Sequence, residues 1–370
     1  MNFIEEFKKG QTGFNTGLNI GISNLHNAIN GMQRHRIYGI ASPAKVGKTT
    51  LVDYCFLINP YLQSLEEELN IEWIYYSYEI DRISKEFDFA TFFLNHDFGI
   101  EKIALEEGQL YTSEGITSNI INLSPDYLRG RLLDTENRLI TVKSSIVEAL
   151  KTVYEKRIIP IFGEYSAEGV LLKKGKVIFI EHSNNPTGIN KQLRVYAEQH
   201  GKFVRTEGEF SRITGYHPND PNKFTVVIMD HLRKLIPEQG FSLKQTIDKM
   251  TEYFVQLRNW CDFTIIPILH TNRNISSVER LRFSRDQIYP TAEDLKDSGN
   301  LAEDCDYLFT MFNPNDERYN LTHHFGVALK NERGEPINPL LRTIHIAESR
   351  HCFFPQHFST TMVGNLKKFL

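Results

Sequence analysis

The densest chemistry in the chain lies in Ser42-Pro-Ala-Lys-Val-Gly-Lys-Thr-Thr50. This stretch follows a short apolar run and opens a helical pattern, the strand–turn–helix setting in which a backbone loop can wrap a phosphate chain. Gly47 lets the backbone come close to a phosphate, and successive N–H groups and the helix N-terminus then face the anion. Lys48 is placed to reach the outer phosphates of a triphosphate, and Thr49 to hold Mg²⁺. Ser42, Pro43, Ala44, Lys45, Val46 and Thr50 complete the expected nucleotide contacts. Ser42 stands where such a loop usually has its first glycine. A chance Gly-Lys-Thr in a strand–helix turn is the alternative, and the flanking strand weighs against it.

Carboxylates are then needed to hold the metal ion and to activate a water. Thr225-Val-Val-Ile-Met-Asp230 is an apolar run ending in an acid. That is the form of a buried strand delivering a carboxylate to the C-terminal edge of a sheet, where open α/β folds bind ligands. Asp230 is expected to hold the Mg²⁺ water shell, although strands of this kind are often only structural. Glu79 closes a second run, Trp73-Ile-Tyr-Tyr-Ser-Tyr-Glu79, far enough past Lys48 for one helix and one return strand. It is a candidate general base; from the residues alone, a solvated Glu capping the next helix is the simpler reading. His270 ends Ile265-Ile-Pro-Ile-Leu-His270 and is placed to sense a γ-phosphate. A packed core histidine is an equal alternative at that point.

These groups meet only if the strands that carry them lie side by side. Runs that read as buried strands are Ile37–Ala41, Trp73–Ser77, Val177–Ile180, Thr225–Met229, Thr264–Leu269 and Tyr307–Met311. Helical patterns follow at Thr49–Leu57, ending before Pro60, at Gly188–His200 and at Leu243–Asn259. Strands alternating with helices predict an α/β fold with a mostly parallel central sheet flanked by helices. From Phe325 to about Phe354 the pattern predicts a C-terminal antiparallel extension turning at Gly334. Residues 1–30 read as an arm or linker helix, 31–355 as the core, and 356–370 as a tail. The stretch at about 100–176 fits least well. It predicts a helix over Thr135–Glu155 and a hairpin pairing Ile158–Phe162 with Val170–Leu172, and it reads as an elaboration of the core.

Composition sets the limits. The chain has 370 residues, 41% hydrophobic and 24% charged, enough to bury a full core. A net charge of -4 argues against a small basic nucleic-acid-binding module, so any positive groove must be local. Cys55, Cys261, Cys305 and Cys352 are too far apart in sequence for a zinc knuckle or a redox pair and read as reduced, buried thiols. No apolar stretch approaches the ~18 residues of a membrane span, and no signal peptide is evident. A cytoplasmic protein is expected, in the host cytoplasm if phage-encoded.

The order of motifs resembles the RecA-like motor domain of DnaB-type replicative helicases. Tyr76-Ser-Tyr-Glu-Ile80 is similar to that family's aromatic-Ser-Leu-Glu-Met segment, and Met229-Asp-His-Leu-Arg-Lys-Leu235 to its Ile-Asp-Tyr-Leu-Gln-Leu segment. Leu269-His-Thr-Asn-Arg273 is similar to Ser-Gln-Leu-Asn-Arg, with His270 in place of the sensor Gln. The longest match is Glu293-Asp-Leu-Lys-Asp-Ser-Gly-Asn-Leu-Ala-Glu-Asp-Cys-Asp306 to Ser-Asp-Leu-Arg-Glu-Ser-Gly-Ser-Ile-Glu-Gln-Asp-Ala-Asp. Ala328-Leu-Lys-Asn-Glu-Arg-Gly-Glu-Pro336 resembles the Lys-x-Arg-Asn-Gly hairpin that reaches a neighbour's nucleotide. Lys330 matches it directly; Arg333 stands one place late, and Glu332 holds the usual arginine position.

The resemblance spans about 35–350, with 100–175 poorly matched. It implies a RecA-like P-loop NTPase that binds ATP and Mg²⁺ between subunits of a homo-hexamer. Lys48, Thr49, Asp230, Glu79 and His270 would come from one subunit, and the arginine finger Arg333 with Lys330 from the next. It further implies contacts to single-stranded DNA through Arg273, Lys296, Ser298 and Gly299; Asp297-Ser298-Gly299 alone would pass for an ordinary turn. A primase or helicase loader is the implied partner. The first 30 residues would supply only a linker helix that swaps onto a neighbour, since the family's N-terminal collar has no counterpart. The expected function is ATP-driven unwinding in DNA replication; the alternative is a RecA-like ATPase serving as loader, recombination or scaffold factor without unwinding.

Overall fold

The apolar runs become strands because both faces of the sheet they form are covered. The computed structural model describes residues 3–207, 211–272, 275, 277–283, 285–295 and 299–370. The chain divides into two compact units, the first made of Met1–Glu79, His182–Met362 and Phe369–Leu370. Its sheet strands are β1 Tyr38–Ser42, β2 Ile71–Ser77, β3 Phe224–Asp230, β4 Thr264–His270, β5 Tyr307–Phe312, β6 Leu341–Ser349 and β7 Gln356–Val363. They lie in the order β7-β6-β5-β1-β4-β3-β2. The pairs from β5 through β2 are parallel, while β6 runs antiparallel to β5 and β7 antiparallel to β6. The segment read as a tail thus contains a strand of the sheet. An antiparallel extension is present, but its sheet strands lie later than read, at Leu341–Ser349 and Gln356–Val363, while Gly334 sits in a turn flanked by the isolated bridge Lys330–Pro336.

Parallel strands buried on two faces read as unbroken apolar runs, as these do. β2 and β3 are buried at every position. Tyr38 of β1 stacks on Tyr307 of β5 at 5.3 Å between ring centroids and packs against Phe56 at the same distance. Helix termini follow their local chemistry. Helix α1, Lys48–Asp53, starts directly after Gly47. In α2, Pro186–His200, the Asn185 side chain accepts the Gly188 N–H. In α3, Leu243–Cys261, Ser242 and Gln245 form a reciprocal capping box.

One helix overran its expected end. α1 does not stop before Pro60 but continues through a wide turn, Tyr54–Ile58, into Asn59–Glu66. A proline inside a helix deprives the carbonyl four residues earlier of its partner. Here that carbonyl belongs to Phe56, and it accepts the indole N–H of Trp73 on β2 at 2.8 Å. The break signalled by Pro60 is therefore repaired from another strand. The arm also departs from its reading: Leu18, Ile20, Leu25 and Ile29 are all buried. Only the helix Phe3–Gln11 leaves Phe3, Ile4 and Phe7 exposed.

The second unit comprises Ile80–Glu181 with Val363–Lys368. Its helix Arg82–Phe98 is capped by Asp81, whose carboxylate accepts the Ser84 N–H. A second helix occupies Ser144–Val153, so 135–143, expected to be helical, are not. Helical structure then runs on through Tyr154–Ile158 and Ile159–Phe162, which corrects the strand expected at Ile158–Phe162. The apolar run misled because this helical turn is buried nearly all round: Ile158, Ile159, Ile161 and Phe162 are buried, and Phe162 packs edge-on against Phe89 at 5.0 Å. The hairpin instead pairs Glu164–Tyr165 with Leu171–Lys173, and Val177–Ile180 forms a strand as expected. No helix among the described residues is long and apolar enough to cross a membrane.

Candidate nucleotide site

Strand register brings the chemistry together. Ser42 at the end of β1 lies beside His270 at the end of β4. Asp230 at the end of β3 lies beside Ser77, two residues before Glu79. The loop after β1 is left-handed at Lys45 (φ 63°) and at Gly47 (φ 112°). Alternation of this kind turns successive N–H groups to one side and makes an anion nest. The positive φ is what requires Gly47; a Cβ there would also stand 2.5 Å from Met362 Sδ, at the flexible end of that side chain. Ser42 and Pro43 are buried, Ala44 and Lys45 exposed, and Thr50 half-buried on the first turn of α1. The Ser42 hydroxyl donates to the Pro43 carbonyl at 2.7 Å, fixing the entry to the loop.

Thr49 Oγ1 donates to Asp230 Oδ2 at 2.8 Å. A hydroxyl and a carboxylate held that close suit the inner and outer shells of an octahedral Mg²⁺, so these two residues fit the ion. Lys48 Nζ lies 2.9 Å from His270 Nδ1 and 3.4 Å from the Pro43 carbonyl. Burial lowers the Lys48 ammonium to about 8, against the pull of Asp230 and Glu79. Burial likewise takes His270 down to about 4, with the Lys48 charge acting in the same direction. His270 is thus a neutral acceptor from the lysine, with its other ring nitrogen carrying the proton.

Glu79 is exposed and does not cap the following helix, a place taken by Asp81. Its Oε1 lies 3.1 Å from Nε2 of His231. His231 was not singled out in the sequence. The only signal was its position beside Asp230, where the resembling family has Tyr. Its pKa is lowered by burial, opposed by Glu79. Its ring meets that of His270 edge-on at 4.6 Å. Glu79, His231 and His270 offer ligand atoms within 4.8 Å of one another. They are better described as a Glu79–His231 hydrogen bond with the His270 ring set across it than as a metal site. Bonds of about 2.0–2.2 Å to one ion would draw all three inward, and Nδ1 of each imidazole already accepts a hydrogen bond, from Arg233 N–H or from Lys48.

A second residue missed in the sequence is Arg342 of β6, far from the loop in sequence. Its Nε donates to the Val46 carbonyl at 3.3 Å and its Nη1 to Asn313 at 3.0 Å. The antiparallel extension therefore braces the phosphate loop. Lys330 donates to Asn320, and Arg333 is a central, exposed residue of the turn closed by Gly334 N–H on Asn331 O at 2.9 Å. Among the described contacts, neither side chain reaches the 42–50 loop. Arg273, Lys296 and Ser298 lie outside the described residues, and Gly299 opens the helix Gly299–Asp304. A groove of about 870 Å³ lies at the other edge of the sheet, lined by Arg34, Arg36, Trp260 and Asp262 among others. Nothing there resembles phosphate-transfer chemistry, so the loop and not the groove locates the site.

No protein-family model matches the sequence, and no curated protein matches it either. Solved structures do. The ATPase domain of a phage helicase superposes with a TM-score of 0.62 at 13% identity, over 99% of this chain and 95% of that one. A DnaB-like replicative helicase, solved for its interactions with primase, gives a TM-score of 0.61 at 12% identity. That match covers 99% of this chain and 65% of the helicase chain. The chain has the RecA-like fold of DnaB-type helicase ATPase domains.

Proposed function

We propose that the chain is a Mg²⁺-dependent ATPase that moves on single-stranded DNA and unwinds duplex as a ring of identical subunits. The observation that carries the reading is the pairing of Thr49 with Asp230 beside Lys48 at the end of a parallel sheet. In this reading the loop amides and Lys48 hold the β- and γ-phosphates. Glu79 takes a proton from the attacking water as its oxygen bonds to the γ-phosphorus. The bond to the β–γ bridging oxygen breaks, leaving ADP and phosphate. Bound Mg²⁺ would neutralise charge on the phosphates. His270 reads whether the γ-phosphate is present, because Lys48 must leave its ring nitrogen to meet that phosphate.

Arg333 and Lys330 are assigned to the neighbouring subunit's nucleotide, which is why an isolated protomer should turn over slowly. An arginine supplied in trans is worth about 10³–10⁵ in rate. Arg273, Lys296, Ser298 and Gly299 are assigned to the DNA backbone. A primase or loader is the partner class, by analogy with the helicase solved for its primase interactions. The net charge of -4 supports a second reading, an ATPase that loads or scaffolds without unwinding.

Strand displacement on a forked duplex tests the choice. ATP-dependent unwinding by the wild type, absent in Lys48→Ala, supports the helicase. ATP turnover indifferent to single-stranded DNA, with no displacement, supports the second reading.

A further inference from the structure

His231 has no role in the reading so far, yet it is buried and held at the site. It sits at the end of β3, 4% exposed. Arg233 N–H donates to its Nδ1 at 3.2 Å, and His270 lies across its ring at 4.6 Å. Its Nε2 is 3.1 Å from Glu79 Oε1. The groups that face it are Glu79, His270, Lys48 and Lys234. Because Nδ1 accepts a backbone N–H, its lone pair is engaged and the ring proton sits on Nε2. The contact with Glu79 is therefore an N–H donated to a carboxylate.

Glu79 is the opposite case. Its side chain is 40% exposed, against 5% for His231. It lies beyond the last residue of β2. A carboxylate on a strand end samples several rotamers unless something holds it. A misplacement of about 1 Å at a reacting group can cost about 10²-fold in rate.

We propose that His231 is a positioning residue for Glu79: its Nε2–H holds one carboxylate oxygen so that the other faces the attacking water. The inference deepens the ATPase reading and rests on it. It assigns to the residue after Asp230 a task that strand β2, which ends at Ser77, cannot perform for Glu79. The rigid partner is buried and held by the Arg233 N–H and the His270 ring; the exposed one is the base.

The test uses the full chain, with steady-state ATP turnover in Mg²⁺ and binding of a fluorescent non-hydrolysable ATP analogue. In His231→Leu, kcat falls about 10–100-fold, while KM and analogue affinity stay unchanged. His231→Gln recovers most of the loss, because its amide nitrogen occupies the place of Nε2 and donates. Should the Leu variant fail to fold, His231→Asn supplies the same loss, since its shorter amide stops short of Glu79.

Wild-type turnover in His231→Leu or His231→Asn overturns the proposal. So does an equal loss in the Gln variant, which would mean that ring packing and not the N–H matters. Wild-type turnover that requires added Zn²⁺ and disappears in all the variants would assign the trio to a metal and overturn it as well. The parent reading fails differently, through a wild-type chain that does not hydrolyse ATP or a Lys48→Ala chain that hydrolyses it unchanged.

Discussion

The two edges of the central sheet both gather buried charge, and they handle it in opposite ways. At the edge where the parallel strands begin, Asp306 is 3% exposed and fully engaged. It accepts the Ile37 N–H, the Arg258 guanidinium and the His351 ring N–H, each at 2.8 Å. Burial alone would raise its pKa, but the His351 bond, the Ile37 N–H and Arg258 hold it below the usual range. At the edge where the strands end, Lys48 is nearly as buried, and its closest partner is a neutral imidazole. One edge satisfies its charge within the fold. The other leaves a cation against a neutral imidazole, where the proposed ATPase reading would place a phosphate chain. Structural sites bind themselves; ligand sites are kept short of a partner.

Substitution of Lys48 would sharpen that contrast most. Lys48→Met should cut ATP turnover on the order of 10²–10³-fold yet raise thermal stability of the nucleotide-free protein, since a buried ammonium is removed. Steady-state kinetics and a melting curve on the same sample check both halves; a loss of stability would break the comparison. Asp306→Ala should do the reverse, lowering stability by about 3–5 kcal/mol by stranding Arg258 and the Ile37 N–H. Turnover per folded molecule should remain, as read by denaturant unfolding alongside activity.

The pH dependence is the smallest effect and separates the edges by sign. The folded pKa of Lys48 is lowered from 10.5 to about 8. The unfolded chain therefore binds more protons between those values, and stability rises with pH across that window. Asp306 has a depressed folded pKa. Its contribution is present above the unfolded carboxylate value of about 3.9 and is lost as pH falls through the folded one. Melting curves against pH should show the alkaline gain flattened in Lys48→Met and the acid loss reduced in Asp306→Asn.

Much of this was legible in the sequence because parallel strands need apolar runs and phosphate loops need Gly47, Lys48 and Thr49. The ends of β1 to β5 fall within one or two residues of the runs read from sequence. Helix α1 was misjudged because the remedy for Pro60 is Trp73, a long-range partner that no local rule anticipates. Arg342 and Val46 are separated by 296 positions, and only the sheet order brings them together. His231 escaped notice because its role comes from lying across β3 and β2 from Glu79. The second unit was least legible. Its short hairpins and amphipathic helices, buried on one face only, carry no catalytic spacing to anchor a reading.

The bond from Trp73 to Phe56 has an optical consequence. The indole is fully enclosed and tied to the helix that leaves the phosphate loop. The chain has only one other tryptophan, Trp260, which borders the groove at the far edge. A shift of that helix should therefore change the emission of Trp73, an unlabelled test of whether nucleotide reaches the loop.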